Sequence, residues 1–393
     1  MHAGTPFSRK PCVAVVGLSA RMLAQSAVRA GLEPVALDIF GDRDTREEAS
    51  AWFDIGGKGL SIDRELLLDA LQRAARLPRM LGFVATSGVE PLLGALYQSE
   101  RLPRFIGNDA AATAAVRDPK RFFALLDECG IAHPVVSFTR PADPRRWLVK
   151  HADGCGGVHI EAASSESEGW PHAYFQRVAA GRSMSALFVG ARREACVIGF
   201  AEQSSVAAGK LAFVHSGSLG PVDLPPTVAA KLHEAIRAIV WRTGLTGLNS
   251  IDFLLDGNAF SVLEINARPS STMALYEAVW PQSLFACHVD ACLHGRLPSP
   301  PPAPPRRAGQ RVAFAPFSIT ASKPFSDALH GDPACQDVPL AGTRIEAGQP
   351  VCTLAVTAPT LDAVQHELER HHARLLQRIE TCREPFHDVN TFR

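Results

Sequence analysis

Residues 249–269 read Asn-Ser-Ile-Asp-Phe-Leu-Leu-Asp-Gly-Asn-Ala-Phe-Ser-Val-Leu-Glu-Ile-Asn-Ala-Arg-Pro and gather two carboxylates, an amide and a guanidinium at close spacing. Asp252 precedes a turn signal, Asp256-Gly257-Asn258, and Glu264, Asn266 and Arg268 follow it. Apolar-rich segments flank that turn, so the stretch predicts a β-hairpin. Side chains alternate along a strand, which puts Glu264, Asn266 and Arg268 on one face and Leu263 and Ile265 on the other. Asp252 and Glu264 each lie six residues from Asn258. An odd loop centred there sets the two carboxylates opposite each other, whereas an even loop sets them on opposite faces. Two carboxylates, an amide oxygen and an arginine on one face suit Mg²⁺ bridging nucleotide phosphates. A strand pair with one solvated face has the same pattern, and the hairpin alone leaves both readings open.

The elements that must position these groups belong to a chain of 393 residues, long for one domain and predicting two or three. With 46% hydrophobic and 20% charged residues, its composition is ordinary for a soluble globular protein. Formal net charge is zero and no dense Lys/Arg run occurs, which disfavours nucleic-acid and membrane partners. Nine cysteines scatter from Cys12 to Cys382 without a regular framework, as for reduced thiols in a cytosolic protein. Cys287, His288, Cys292 and His294 fit no standard zinc spacing, and a helix with buried cysteines is the better reading. The apolar run at 12–18 is short, is followed by Arg21 and lacks an export cleavage site. No stretch approaches about 18 apolar residues, so no membrane span is expected and the location reads as cytoplasmic.

An N-terminal doubly wound α/β domain is predicted over 10–108, from strands at 13–17, 35–38 and 81–86 alternating with helices at 20–30 and 66–76. Ligands of such a sheet lie at the strands' carboxyl ends, here near Gly17, Asp38 and Ser87–Glu90. Gly17 opens no Gly-x-Gly-x-x-Gly, so a nicotinamide site is disfavoured although Asp38 stands where a ribose-binding acid would. Ser87, Gly88 and Glu90 either bind a small substrate or cap a strand-to-helix turn. In the second region, 109–296, Asp118-Pro119-Lys120 opens a helix that Gly130 ends. A strand at 147–150 leads through Asp153-Gly154-Cys155-Gly156-Gly157 into another at 158–160. That turn can close over phosphates, because its N–H groups approach an anion without Cβ hindrance, or can be a mobile hairpin tip. Cys155 reads as a small residue in a tight loop.

A Pro-rich linker at 297–308 precedes a C-terminal module, 309–393. Strands are predicted there at 311–319 and 349–356, then an amphipathic helix capped by Thr360 with Leu361, Val364, Leu368, Leu375 and Ile379 at helical spacing. This tail carries no catalytic constellation; it packs on the body or joins two protomers, and a homodimer is the expected assembly.

In chain order stand a βαβ domain, Lys120 on a helix, Lys150 before the glycine loop, Tyr174-Phe-Gln176-Arg177-Val178-Ala-Ala-Gly181, and the acidic hairpin. This order resembles the ATP-grasp superfamily of carboxylate–amine and related ligases, over roughly residues 10–300. Leu263-Glu264-Ile-Asn266-Ala-Arg268-Pro-Ser is similar to the family's Glu-x-Asn-x-Arg metal and phosphate motif. The tail from Asp337 to Thr353 resembles a subgroup of C1-cofactor (methanofuran- and tetrahydromethanopterin-type) biosynthesis that includes tyramine–glutamate ligases. The resemblance implies a central ATP-grasp α+β domain with antiparallel sheets and a small C-terminal β-rich module with a final helix.

It also implies ATP and Mg²⁺, with Mn²⁺ as an alternative metal. Lys120 and Lys150 would hold nucleotide phosphates, with Gly154, Gly156 and Gly157 as the lid. Gln176, Arg177 and Val178 would be the hinge whose backbone meets adenine. Asp252, Glu264 and Asn266 would hold the metal, and Arg268, with Lys150, would serve the transferred phosphoryl group. Substrate candidates are Ser87, Glu90, Ser270 and Ser271, although hydroxyls after a strand also simply cap turns. Three positions depart from the family pattern: Arg177 stands where an acid is usual, Arg182-Ser183 replaces a later ribose-gripping acid, and His151 replaces the proline after Lys150. The implied reaction joins a small-molecule carboxylate, glutamate in the subgroup, to an amine through an acyl phosphate. A carboxylase acting through carboxyphosphate and a nucleotide-binding regulatory protein without ligase activity are the alternatives.

Overall fold

The computed structural model describes residues 10–152, 154–164, 173–208 and 211–382; Asp153 of the glycine turn and the end of the predicted module lie outside these. The chain opens with β1 (Cys12–Val16), α1 (Arg21–Arg29), β2 (Glu33–Asp38), α2 (Arg43–Glu48), β3 (Ala51–Asp54), α3 (Arg64–Ala74) and β4 (Met80–Ala85). A 3₁₀ turn at Glu90–Leu92 and α4 (Leu93–Gln98) follow. The strands form a parallel sheet in the order β3-β2-β1-β4. All five residues of β1 are buried, as an unbroken apolar run in a parallel strand should be. Asp38 is fully buried and its carboxylate is occupied within the protein. One oxygen accepts from Ala20 N–H and the other from Gly41 N–H and Trp52 Nε1, each at 2.8 Å. It is a strut of the sheet, which removes the ribose-acid reading.

Next come α5 (Ala110–Arg117) and α6 (Pro119–Glu128). The Asp118 carboxylate caps α6 by accepting from the N–H groups of Lys120 and Arg121, and Gly130 at φ 65° follows its end. A small antiparallel sheet contains β5 (Val136–Ser137), β6 (Trp147–His151), β7 (Ile160–Ala162) and β8 (Ala173–Arg177) in the order β5-β8-β6-β7. The strand predicted at 158–160 thus begins only at Ile160, because the turn after Gly157 continues through His159.

The large sheet starts with β9 (Arg182–Ala191), β10 (Glu194–Ala208) and β11 (Leu211–Val222), followed by α7 (Pro226–Thr243). It continues with β12 (Gly247–Asp256) and β13 (Ala259–Asn266), then α8 (Met273–Val279) and α9 (Leu284–His294). In α9, Cys287 and His288 are buried. His288 Nδ1 accepts from Leu248 N–H and Nε2 donates to Ile106 O, both at 2.9 Å, so the ring is a neutral structural group.

The tail comprises β14 (Arg307–Phe314), β15 (Ile319–Thr320), α10 (Lys323–His330), β16 (Cys335–Gln336), β17 (Arg344–Ile345), β18 (Pro350–Ala358) and α11 (Leu361–Glu380). β14 pairs with β11, giving one antiparallel sheet in the order β13-β12-β9-β10-β11-β14-β18-β16. The tail therefore packs on the body by extending its sheet. β14 stops at Phe314, short of the predicted 319, where Pro316 can donate no ladder bond. Helix α11 buries Val364, Leu368, Leu375 and Ile379 against β14 and β18. At Gly309 of β14 a Cβ would lie 2.4 Å from Val364, so glycine lets the helix close on the sheet. Among the described residues no helix is long and apolar enough to cross a membrane.

Candidate functional site

The hairpin turn contradicts the simple way of bringing Asp252 and Glu264 together. Only Gly257 and Asn258 separate β12 from β13, and pairing runs Asp256↔Ala259 to Phe253↔Val262. This even loop, continued, would oppose Asp252 to Leu263. Instead the register shifts between Phe253 and Asp252, so the next partners are Asp252↔Glu264. Leu263 is the extra residue of a β-bulge. Val262 and Ile265 both enter the core although they are three apart, and Leu263 lines a cleft beside Glu264 rather than joining them. The bulge, not the loop, puts both carboxylates on one face.

Around them the polar contacts converge. Asn266 Nδ2 donates to Asp252 Oδ2 at 3.1 Å and Gln203 Nε2 to Asp252 Oδ1 at 3.4 Å. Lys150, on β6, places its buried Nζ 3.4 Å from Glu264 Oε2, and His159 Nε2 lies 3.9 Å from the same oxygen. Burial and the facing Glu264 push the Asp252 carboxyl up to about 6. Burial also acts to raise Glu264, but Lys150 and His159 outweigh it and hold that carboxyl well below the usual range. For Lys150, burial is outweighed by the Tyr174 oxygen and Glu264, which keep the ammonium charged. No three His, Cys, Asp or Glu side chains converge among the described residues. Two carboxylates and the Asn266 amide oxygen leave coordination positions free for phosphate and water, the usual arrangement for Mg²⁺. The 35% exposed Glu264 side chain opens that face to the cleft.

Arg268 continues the series by donating from Nη2 to Asn266 Oδ1 at 3.0 Å. Its Nε donates to Glu90 Oε1 at 2.7 Å, a buried ion pair that reaches into the N-terminal sheet. Glu90 Oε2 accepts from Gly88 N–H at 2.6 Å, and Thr86 Oγ1 donates to Pro269 O at 2.9 Å. The sequence placed Glu90 among substrate contacts; the structure gives it to Arg268 and to its own turn.

Residues 118–272 match the family model described as the ATP-grasp domain. The chain carries an ATP-grasp domain. Solved structures similar over nearly the whole chain extend the likeness of fold. One is the biotin carboxylase domain of the 2-oxoglutarate carboxylase of Hydrogenobacter thermophilus, a dimer in complex with MgADP, ADP and bicarbonate. It has TM-score 0.70 at 13% identity, covering 91% of this chain and 88% of that one. Another is the L-amino acid ligase of Bacillus licheniformis, with TM-score 0.65 at 13% identity and coverage of 94% and 98%. A third is N5-carboxyaminoimidazole ribonucleotide synthetase of Thermus thermophilus, with TM-score 0.65 at 18% identity and coverage of 92% and 98%. No curated protein sequence matches the chain.

The glycine loop of the ATP-grasp domain lies against β11. Gly156 O accepts from His215 N–H at 3.0 Å, and a Cβ on Gly157 (φ 77°) would sit 1.7 Å from Phe213 O. At Gly154 a Cβ would meet His159 at 2.0 Å. In the hinge, Gln176 is buried, Arg177 N–H donates to Val135 O at 2.9 Å and Val178 N–H to Arg146 O at 2.8 Å. The N–H groups of Arg177 and Val178 are thus engaged within the protein. Ser270 is buried with its hydroxyl 2.8 Å from that of Thr272, whereas Ser271 is exposed and Ser87 is half-buried. Lys120 is exposed, its Nζ 5.6 Å over the Phe138 ring, and is not part of the cleft wall.

Sequence reasoning missed three groups at this cleft: Arg117, His159 and Tyr174. Arg117 stands three residues before Lys120 but ends a different helix, so spacing along α6 does not reveal it. A larger cavity, about 360 Å³, lies between α1, α8 and the tail strands. Its two arginines are both paired, Arg21 with Asp337 and Arg29 with Glu277.

Proposed function

We propose that the chain is an ATP- and Mg²⁺-dependent ligase that joins a carboxylate to an amine through an acyl phosphate. The observation that carries this reading is the bulged register that sets Asp252 against Glu264, with Lys150 and Arg268 bonded to the same cluster. The terminal phosphoryl of ATP moves to a substrate carboxylate oxygen and ADP leaves. The amine nitrogen then attacks the acyl carbon, expels phosphate and loses its proton to solvent or phosphate. Such transfer needs positioning and charge neutralisation more than a covalent protein group.

Asp252, Glu264 and Asn266 would hold the metal, which supplies neutralising charge to phosphate oxygens. Lys150 holds phosphate with an ammonium kept charged by its surroundings, and Arg268 faces the transferred group. The glycine loop keeps water from the acyl phosphate. The fold likeness to an L-amino acid ligase supports a ligase, and the likeness to carboxylases keeps the carboxyphosphate route as an outcome of the test. As the finer reading, the acid is glutamate and the amine an aromatic or pterin/furan-type amine of cofactor synthesis, handled by a cytoplasmic homodimer.

ADP release measured across a panel of amino acids and amines decides among these. Release that needs both an acid and an amine supports the ligase. Release driven by bicarbonate without an amine identifies a carboxylase. ATP binding with no ADP under any mixture leaves a regulatory nucleotide-binding protein. In the variant Glu264→Ala, turnover should vanish while circular dichroism stays that of the folded chain; wild-type activity there overturns the metal assignment.

A further inference from the structure

Among the described residues, the lysine and arginine side chains of the cleft pair with carboxylates, with one exception. Lys150 faces Glu264 and Arg268 faces Glu90. Arg117, the last residue of α5, lines the same cleft with Gly154, His159, Glu264 and Asn266. Its Nη2 donates to Ala152 O, at the stem of the glycine loop. Among the described residues no carboxylate comes within ion-pair distance of it. A half-buried guanidinium with no carboxylate partner among the described residues, bonded at the stem of a glycine loop, is a site for an anion.

The position of Arg117 also says which end of a triphosphate it serves. Glu264 and Asn266, which would hold the metal, line the cleft together with Arg117, and Asn266 Oδ1 accepts from Arg268 Nη2 at 3.0 Å. Arg117 therefore shares its cleft with the metal face and with the Asn266 amide that holds Arg268. Lys120, by contrast, is exposed over the Phe138 ring and does not line the cleft.

We propose that Arg117, rather than Lys120, contacts the terminal phosphoryl group of the bound nucleoside triphosphate, the group that is transferred. This rests on the ATP reading given above. Arg117 is then a catalytic residue whose placement depends on the glycine loop, because Ala152 O holds its fork. A planar guanidinium matches phosphoryl oxygens in a way that an ammonium does not.

The test compares ATP with ADP, since only ATP carries the terminal phosphoryl. Binding of each to the full chain with Mg²⁺ is measured by calorimetry for wild type, Arg117→Ala, Arg117→Lys, Lys120→Ala and Lys150→Ala. Arg117→Ala should weaken ATP by about 10- to 100-fold, the worth of a charge-assisted contact, and leave ADP within about twofold. Arg117→Lys should fall between, and Lys150→Ala should weaken both nucleotides. Equal loss for ATP and ADP in Arg117→Ala, or no loss there with a large one in Lys120→Ala, overturns the proposal. A wild-type chain that binds neither nucleotide overturns the ATP reading itself, and the proposal with it. Should Arg117→Ala not fold, Arg117→Gln carries the same comparison.

Discussion

Exchanging Glu90 for Gln tests whether the N-terminal sheet holds Arg268 in place. The Glu90 side chain is 3% exposed and that of Arg268 11%, so both charges are out of water. Glu90→Gln keeps the volume and removes the counter-charge, leaving the guanidinium with Asn266 Oδ1 at 3.0 Å and Pro269 O at 3.3 Å. Breaking one side of a buried pair costs about 3–5 kcal/mol, and two surviving acceptors place this case near the lower end, about 3 kcal/mol. Arg268→Met should cost a similar amount by stranding Glu90. The double variant should cost clearly less than the sum, because both charges leave together. Urea titrations of the four proteins supply the cycle. Arg268 also meets the transferred phosphoryl on our reading, so ADP release should fall about 100-fold in Glu90→Gln, as displacement of a positioned group by about 1 Å does. The Glu90 carboxyl is held below its ordinary value, so its stabilisation is present above the unfolded pKa and is lost as pH falls through the folded one. The Gln variant should lack that acid loss. A Glu90→Gln chain within about 0.5 kcal/mol of wild type, or single effects that add without coupling, refutes the argument.

Two further perturbations address the loop and the helix behind the sheet. Gly157→Ala adds a Cβ that would sit 1.7 Å from Phe213 O at φ 77°; a left-handed non-glycine residue costs about 1–2 kcal/mol before the clash. The closed loop should therefore be disfavoured about tenfold or more, read as faster proteolysis at the loop and slower turnover; unchanged rates in both would contradict loop closure. His288, 1% exposed, has its ring pushed down from 6.5 to about 4 by burial. The unfolded ring takes up a proton below about 6.5 and the native one resists, so stability is intact above that pH and falls by about 3 kcal/mol towards pH 4. His288→Gln can keep both backbone bonds and should flatten this part of the pH profile; an equally steep fall in that variant assigns the loss elsewhere.

Much of this site was legible because its chemistry is local in sequence. Asp252, Glu264, Asn266 and Arg268 lie within 17 residues, and strand alternation plus a turn signal brings them together. The bulge at Leu263 was not legible, because loop parity argued for the wrong register and only the packing of Val262 and Ile265 into one core decides it. Core strands such as β1 and the helix α11 declare themselves by apolar runs and helical spacing. The pairing of β14 with β11 is a long-range choice that no window of sequence contains. The Glu90–Arg268 pair was illegible for the same reason: the two lie 178 residues apart, and a carboxylate near a strand end looks alike whatever it pairs with. His159 hid in what reads as a strand but is the last turn of the glycine loop.

The cleft beside Glu264 measures about 40 Å³, against roughly 300 Å³ or more for pockets that take drug-sized ligands. On the ATP reading this is the shut form, and the glycine loop has to lift before a nucleotide enters. What holds it shut is visible: Gly156 O on His215 N–H, Gly157 against Phe213 O, and Ala152 O on Arg117. The contact of Ala152 with Arg117 makes the loop more than a cover, because lifting the loop releases a guanidinium that no carboxylate among the described residues pairs. Arg268 does not depend on the loop, since Glu90 anchors it from the N-terminal sheet. On that reading Arg268 is fixed before the nucleotide arrives, whereas Arg117 is set by closure. A site built this way completes its charge around the phosphoryl group only when water has been shut out.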